Sequence, residues 1–151
     1  MTTDEITDLL TAAYIDELET VMNYRTNAIV LDGIHAEEVK ESLEVDIQEE
    51  LDHARILGER LKQLDESPPG SEAFEASQHS LQPPEDTTDV QSVIEGVLEA
   101  EEAAIETYRS LIEAATEAND PVTEDVAVTI LADEEAHRTE FRGFEKEYRT
   151  D

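Results

Sequence analysis

The sequence predicts an all-α fold, a four-helix bundle of two antiparallel helix pairs joined by one long crossover. Three observations point there. Apolar residues recur at steps of three and four along four separate stretches, which is the helical period. These stretches come as two pairs with short connections, and a proline-containing segment over residues 65–88 separates the pairs. Finally, Glu17, Tyr24, Glu50 and His53 return as Glu101, Tyr108, Glu134 and His137, each displaced by the same 84 residues. The second pair therefore repeats the first. No stretch carries the alternation of a strand.

The first helix is expected over about residues 4–29, with Thr2 and Glu5 spaced as a capping box. Its apolar stripe is Ile6, Leu10, Ala13/Tyr14, Val21, Tyr24 and Ala28, with Glu17 in its middle, and Gly33 supplies a stop. The second helix, about 37–64, carries Val39, Leu43, Ile47, Ala54, Leu57 and Leu61, interrupted by Glu50 and His53. The third, about 89–116, opens with Thr88 and Gln91 as a capping box and carries Ile94, Val97/Leu98, Ala104/Ile105, Tyr108, Leu111/Ile112 and Ala115 around Glu101. The fourth, 121–148, starts at Asp120-Pro121, an N-cap followed by proline in the first turn. Its stripe of Val126, Ile130, Phe141, Phe144 and Tyr148 is interrupted by Glu134 and His137.

Fully extended, the linker over 65–88 reaches up to about 80 Å, whereas a helix of 26 residues is only about 39 Å long. It is long enough to run the length of the bundle, which makes a crossover topology the expected one. Within it, Ser71–Gln78 is expected to form one short helix.

At 151 residues the chain is read as a single domain over 1–151. Its formal charge is −30, from 40 acidic and 10 basic residues, of which only Lys40, Lys62 and Lys146 are lysines. Direct nucleic-acid binding is not expected, since little would neutralise phosphates. An acidic, lysine-poor but strongly periodic chain is read as the ordered, salt-adapted protein of a halophile. Self-repulsion should weaken it at low salt. Cysteine is absent, which excludes disulfides and thiolate metal sites and fits a reducing cytoplasm. No apolar run approaches a membrane span and the first residues lack a basic leader, so a soluble, cytoplasmic protein without membrane partners is expected.

Glu-x-x-His alone says little in a chain with 27 glutamates. A lone helical Glu is usually solvated, and a lone His is usually a satisfied core residue. The combination says more. Each of Glu17, Glu50, Glu101 and Glu134 interrupts an apolar stripe, where an unpaired charge is prohibitively costly. Glu50–His53 and Glu134–His137 are three apart, on one helix face. Four carboxylates and two imidazoles suit two ions of intermediate softness, iron or alternatively manganese.

On these residues the chain resembles the ferritin-like superfamily, closest to its bacterioferritin and archaeal Dps-like branch. Glu17-Leu-Glu-Thr-Val-Met-Asn-Tyr24 is similar to the bacterioferritin first-helix motif, and Glu50-Leu-Asp-His53 to that of the second helix. The resemblance implies Glu17 and Glu101 as terminal ligands, Glu50 and Glu134 as bridges, and His53 and His137 each capping one metal. The position of the haem-binding Met is Leu51 here, so haem is not expected. The chain stops at Asp151, without the fifth helix of large cages, so a Dps-like homo-oligomer of twelve chains is expected rather than twenty-four.

The implied function is that of a ferroxidase oxidising Fe(II) with O2 or H2O2 for iron storage or detoxification, with two iron ions per chain. The alternatives are a di-metal peroxidase or oxygenase, and a non-catalytic metal-binding protein. Tyr24 and Tyr108, seven residues after a ligand Glu, are read either as packed core with a bonded hydroxyl or as support or a redox partner for the centre. Glu49 and Asp133, just before the bridging residues, are expected to face outward. Asp46 has no counterpart, Ile130 standing in its place, and is a candidate auxiliary metal contact. His35 and His79 are expected at the surface.

Overall fold

The computed structural model describes residues 2–148, with side chains from residue 4. Four long helices make up its body: α1 (Thr2–Val30), α2 (Glu37–Gln63), α3 (Val90–Glu117) and α4 (Pro121–Tyr148). Their ends lie within two residues of those expected, and no strand occurs among the described residues. Helix α1 packs chiefly on α2 and α3 on α4, and the pairs meet through α1 with α3 and α2 with α4.

The core divides in two along the bundle. One apolar cluster gathers Ala28, Leu31, Val39, Leu43, Val93, Ile94 and Phe141. The other gathers Ile6, Leu10, Leu57, Leu61, Leu111 and Ile130. Glu17, Glu50, Glu101 and Glu134, which follow or precede these residues on the same stripes, are 1–3% exposed. The polar centre is thus held between two dry ends.

Helix ends are fixed by short polar devices. Asp120 caps α4 by accepting from the Thr123 amide at 3.1 Å, and Arg60 on α2 donates to the same carboxylate at 2.9 Å. At α3 the expected cap is corrected. Asp89, not Thr88, accepts from the Ser92 amide at 3.1 Å, because Thr88 is engaged by Asp86 through both its amide and its hydroxyl. Helix α1 already includes Thr2, whose side chain lies outside the described residues, as does the capping box expected of it. Gly33 has φ +99°, a left-handed value suited to glycine, where the chain turns into α2.

The linker also departs from expectation. Ser71–Gln78 is not one helix; single 3-10 turns form at Ser71–Ala73 and His79–Leu81. Beyond the bonds of these turns, the segment bonds to α1. Glu19, 2% exposed, accepts from the amides of Ser77 and Gln78 at 3.0 and 2.9 Å. Asn23 donates to the Gln78 side chain at 3.0 Å and Asn27 to the Leu81 carbonyl at 2.9 Å. Further on, the Asp32 amide donates to the Thr87 carbonyl at 2.8 Å. As the linker advances, its partners advance along α1, so it runs lengthwise over the bundle. His35 and His79 are exposed.

On the α3 side the linker lies against Gly96, where a Cβ would collide with the Ser80 carbonyl oxygen and sit 3.1 Å from the Leu81 Cα. Gly96→Ala should therefore destabilise the fold by about 1–3 kcal/mol, the usual range for overpacking. Gly143 on α4 has nothing within 4 Å of the same added atom. There Gly→Ala should raise stability by roughly 0.5–1 kcal/mol through helix propensity. Thermal unfolding of the two variants checks both signs.

Candidate metal centre

Each helix brings one carboxylate to the middle of the bundle, and α2 and α4 add an imidazole one turn on. Ligand-capable atoms of Glu17, Glu50, His53 and Glu134 lie within 4.8 Å of one another, and so do those of Glu50, Glu101, Glu134 and His137. The two sets share Glu50 and Glu134. All six residues predicted from the sequence as metal ligands therefore meet in one cluster, as two overlapping halves joined by two common carboxylates.

Hydrogen bonding within the bundle leaves at least one atom of each residue unmatched, and both ring nitrogens of His137. Glu17 Oε1, Glu50 Oε1, Glu101 Oε1, Glu134 Oε1, His53 Nδ1 and His137 Nδ1 are buried and accept or donate no hydrogen bond. Native interiors satisfy nearly all such atoms, so six orphans at one point call for cations. Two divalent ions balance four carboxylates when both imidazoles are neutral. The donor set, four oxygens and two nitrogens without sulfur, suits iron or manganese. The residues fit a two-metal centre.

Tyr24 and Tyr108 brace the carboxylates across the bundle. Each lies on the same helix as one ligand Glu yet bonds to the other: the Tyr24 hydroxyl donates to Glu101 Oε2 at 2.6 Å, and that of Tyr108 to Glu17 Oε2 at 2.5 Å. Both rings are at most 1% exposed. Packing and support of a ligand, set apart as alternatives at the sequence level, are here the same contact.

The outer histidine nitrogens correct one expectation. Glu49 and Asp133 are half-exposed, but they do not simply face outward. Asp133 Oδ2 lies 2.8 Å from His53 Nε2, and Glu49 Oε1 lies 3.3 Å from His137 Nε2. Each carboxylate thus reaches the imidazole of the opposite helix pair. On His53 a proton held between Nε2 and Asp133 leaves the Nδ1 lone pair directed at the centre, whereas Glu49 meets His137 only as a charge contact. Their matching positions 84 residues apart carried the signal, but helix periodicity alone placed them outside. Asp46 is buried, 3.6 Å from His137 Nε2, with Oδ2 unmatched.

Burial and mutual repulsion hold the Glu50 and Glu134 carboxyls well above the ordinary range. For Glu50 burial comes first, then the charges of Glu17 and Glu134; for Glu134, burial, then Glu17 and Glu101. Burial also acts to raise Glu17, but the adjoining Glu50 carboxyl and His53 imidazole outweigh it and bring it below the usual value. Burial would lower His53, yet Glu17, Glu134 and Asp133 lift it to about 9. His137 is raised further, against burial, by Glu101, Glu134 and Glu50. Burial and the adjoining carboxylates push both tyrosine hydroxyls well above their normal range.

A family model described as a ferritin-like domain matches residues 7–149. No curated protein matches. Among solved structures, the chain is similar to a ferritin-like, diiron-carboxylate protein from Bacillus anthracis, at 23% identity and TM-score 0.85 over 96% of this chain and 98% of that one. It is similar to the bacterioferritin of Desulfovibrio desulfuricans at 23% identity and TM-score 0.82, over 96% and 80% of the two chains. It also resembles a dodecameric thioferritin, the bacterioferritin-related protein of Bacteroides fragilis, at 22% identity and TM-score 0.79 over 96% and 86%. At these identities the likeness shows the fold.

The titration of His53 has a checkable sign. Its folded value of about 9 lies above the ordinary 6.5, so its charged form stabilises the metal-free protein at neutral pH and that contribution is lost as pH rises through 9. A metal competes with the same proton. The unfolding temperature of metal-free protein should fall between pH 7 and 9, whereas the increment added by saturating Mn(II) should grow over that window. Tyr24→Phe removes only a hydroxyl bonded to a carboxylate and should lower metal-free stability by about 1.5–3 kcal/mol. Calorimetry across the pH series reads both.

Proposed function

The chain belongs to the ferritin-like family, and from that premise we propose that it is a ferroxidase, oxidising Fe(II) with O2 or H2O2 for iron storage or detoxification. The observation that carries this reading is the pair of overlapping ligand sets sharing Glu50 and Glu134, each residue ending in a buried unmatched atom. Glu17, Glu50, His53 and Glu134 would hold one iron ion, and Glu101, Glu134, His137 and Glu50 the other. Fe(II) is here the substrate. Two Fe(II) give up one electron each; O2 takes both with two protons and leaves as H2O2, or H2O2 takes both with two protons and leaves as two waters.

The protein's part follows from its geometry. Glu50 and Glu134 face both halves, so they keep the two substrate ions together. Tyr24 and Tyr108 fix the rotamers of Glu101 and Glu17 by cross-bundle bonds. Asp133 and Glu49 orient the imidazoles. The flanking apolar clusters exclude bulk water, so the carboxylates bind cations rather than being solvated. The same reading makes iron the native metal, with manganese as its competitor, and assigns no role to haem.

The chain is further proposed to work as a homo-oligomer, twelve subunits in the manner of Dps-like cages, in the cytoplasm of a salt-adapted cell. Met22 and Ile29, two turns apart on α1, are 65% and 68% exposed, and Val45 on α2 is 61% exposed, which favours burial against further copies. Among the described residues no helix is long and apolar enough to cross a membrane.

Anaerobic titration should load about two Fe(II) per chain, the capacity of one such carboxylate centre. Oxidation should exceed the buffer rate, and Glu50→Ala or Glu134→Ala should each abolish most of the excess; wild-type rates in both variants would end the ferroxidase reading. With −30 on every chain, the oligomer should hold in molar salt and loosen as salt is removed. Light scattering across a salt series tests this, and a stable monomer in high salt would remove the cage.

A further inference from the structure

The centre is pseudo-symmetric, but its approaches are not. The 84-residue displacement that pairs Glu17 with Glu101 also pairs Asp16, Glu19 and Thr20 on α1 with Ala100, Ala103 and Ala104 on α3. The polar members hold the linker. Glu19 takes the amides of Ser77 and Gln78, and Thr20 accepts from the Gln78 side chain at 2.7 Å. The chain that follows lies down over the Tyr24 half: Asn27 bonds the Leu81 carbonyl, Ser80 packs on Gly96, and Leu81 enters the same buried cluster as Tyr24.

On the other half the alanines fill nothing. They leave a cavity of about 100 Å³ between α1 and α3, reaching Glu17 and Tyr108 and edged by Ser77, Gln78 and Ser80 of the linker. It has room for a few water-sized molecules and not for a sizeable organic substrate. Four alanines line it, Ala100, Ala103 and Ala104 from α3 and Ala13 from α1, together with Thr20 and Thr107. Asp16 and Glu99 also line it, but neither belongs to any group of the described residues able to hold a metal ion. The carboxylates outside the centre that do, Asp46, Glu49 and Asp133, lie on α2 and α4.

We propose that this cavity is the binding site of the small uncharged oxidant, O2 or H2O2, which reaches the centre from the α1–α3 side at Glu17 and Tyr108, while cations are handled from the α2–α4 side. The inference rests on the ferroxidase reading for what the bound molecule does, but not for the existence of the site. The linker packs down on the Tyr24 half through Ser80 and Leu81, while on the Tyr108 half Ser77, Gln78 and Ser80 only edge the cavity.

The test begins on metal-free protein, with xenon under pressure as an apolar probe of comparable size. Xenon should occupy the cavity in the wild type and be excluded by Ala104→Leu, with Ala100→Val as the milder second variant. Loaded anaerobically, these variants should take up Fe(II) as the wild type does, yet show an oxidant KM raised roughly tenfold with kcat at saturation retained, a change equal to one decade in specificity. Running the assay with O2 and with H2O2 identifies which oxidant uses the cavity. Absence of xenon from the wild type, unchanged oxidant KM for both oxidants in the two variants, or slowed Fe(II) uptake would each overturn the proposal. Failure of the wild type to oxidise Fe(II) at all would instead sink the ferroxidase reading, with the xenon result still deciding whether the cavity binds small apolar molecules.

Discussion

Four carboxylates share one buried point, and the rest of the structure answers that constraint. Placed together in a low-dielectric interior, they repel one another by far more than the whole fold is stable by. Neutralisation has to come from bound positive charge. Protons are one source: Glu50, Glu134, His53 and His137 are all shifted toward their protonated forms. Two divalent cations are the other, and they would displace those protons while matching the four carboxylates in charge. The same side chains thus carry two alternative ways of balancing the core.

Holding the cluster open for cations demands that it not collapse onto internal partners. The two tyrosines achieve this by crossing between helix pairs, each taking one oxygen of a terminal Glu and leaving the second free. From outside, Asp133 hydrogen-bonds the His53 imidazole and Glu49 lies 3.3 Å from that of His137. Every one of these contacts joins the first helix pair to the second. The apolar clusters at either end are built from all four helices. The centre and the packing of the pairs therefore depend on each other, and loosening one should loosen the other.

The bundle and the six clustered residues were legible because both rest on local periodicity and on an internal repeat. A step of three or four places a side chain on a stripe without knowledge of what lies opposite. What was not legible depends on what lies opposite. Glu49 and Asp133 fall off the stripe, and only the position of the facing helix shows that they reach an imidazole. Tyr24 and Tyr108 share a face with the wrong Glu in sequence and bond to the right one in space. Likewise Thr88 and Asp89 both suit an N-cap, and the competition was settled by Asp86, two residues upstream of Thr88. Ser71–Gln78 did not form one continuous helix because the amides of Ser77 and Gln78 found Glu19 on α1, a partner that spacing within the segment could not reveal.

The linker also explains why an internal repeat need not yield an equivalent site on both sides. One covalent crossover can lie over only one of two pseudo-equivalent grooves. Glu19, Thr20, Asn23 and Asn27 on α1 bond it, while among the described residues their counterparts Ala103, Ala104, Thr107 and Leu111 make no side-chain hydrogen bond to it. The small side chains of Ala100, Ala103 and Ala104 leave space beside the linker, and that space ends at Glu17 and Tyr108. A fold assembled from two like halves thereby acquires two unlike approaches without any change in the six clustered residues themselves. The asymmetry needed to keep two kinds of reactant apart can thus arise from the crossover and the helix residues it touches, while the metal-facing residues stay matched.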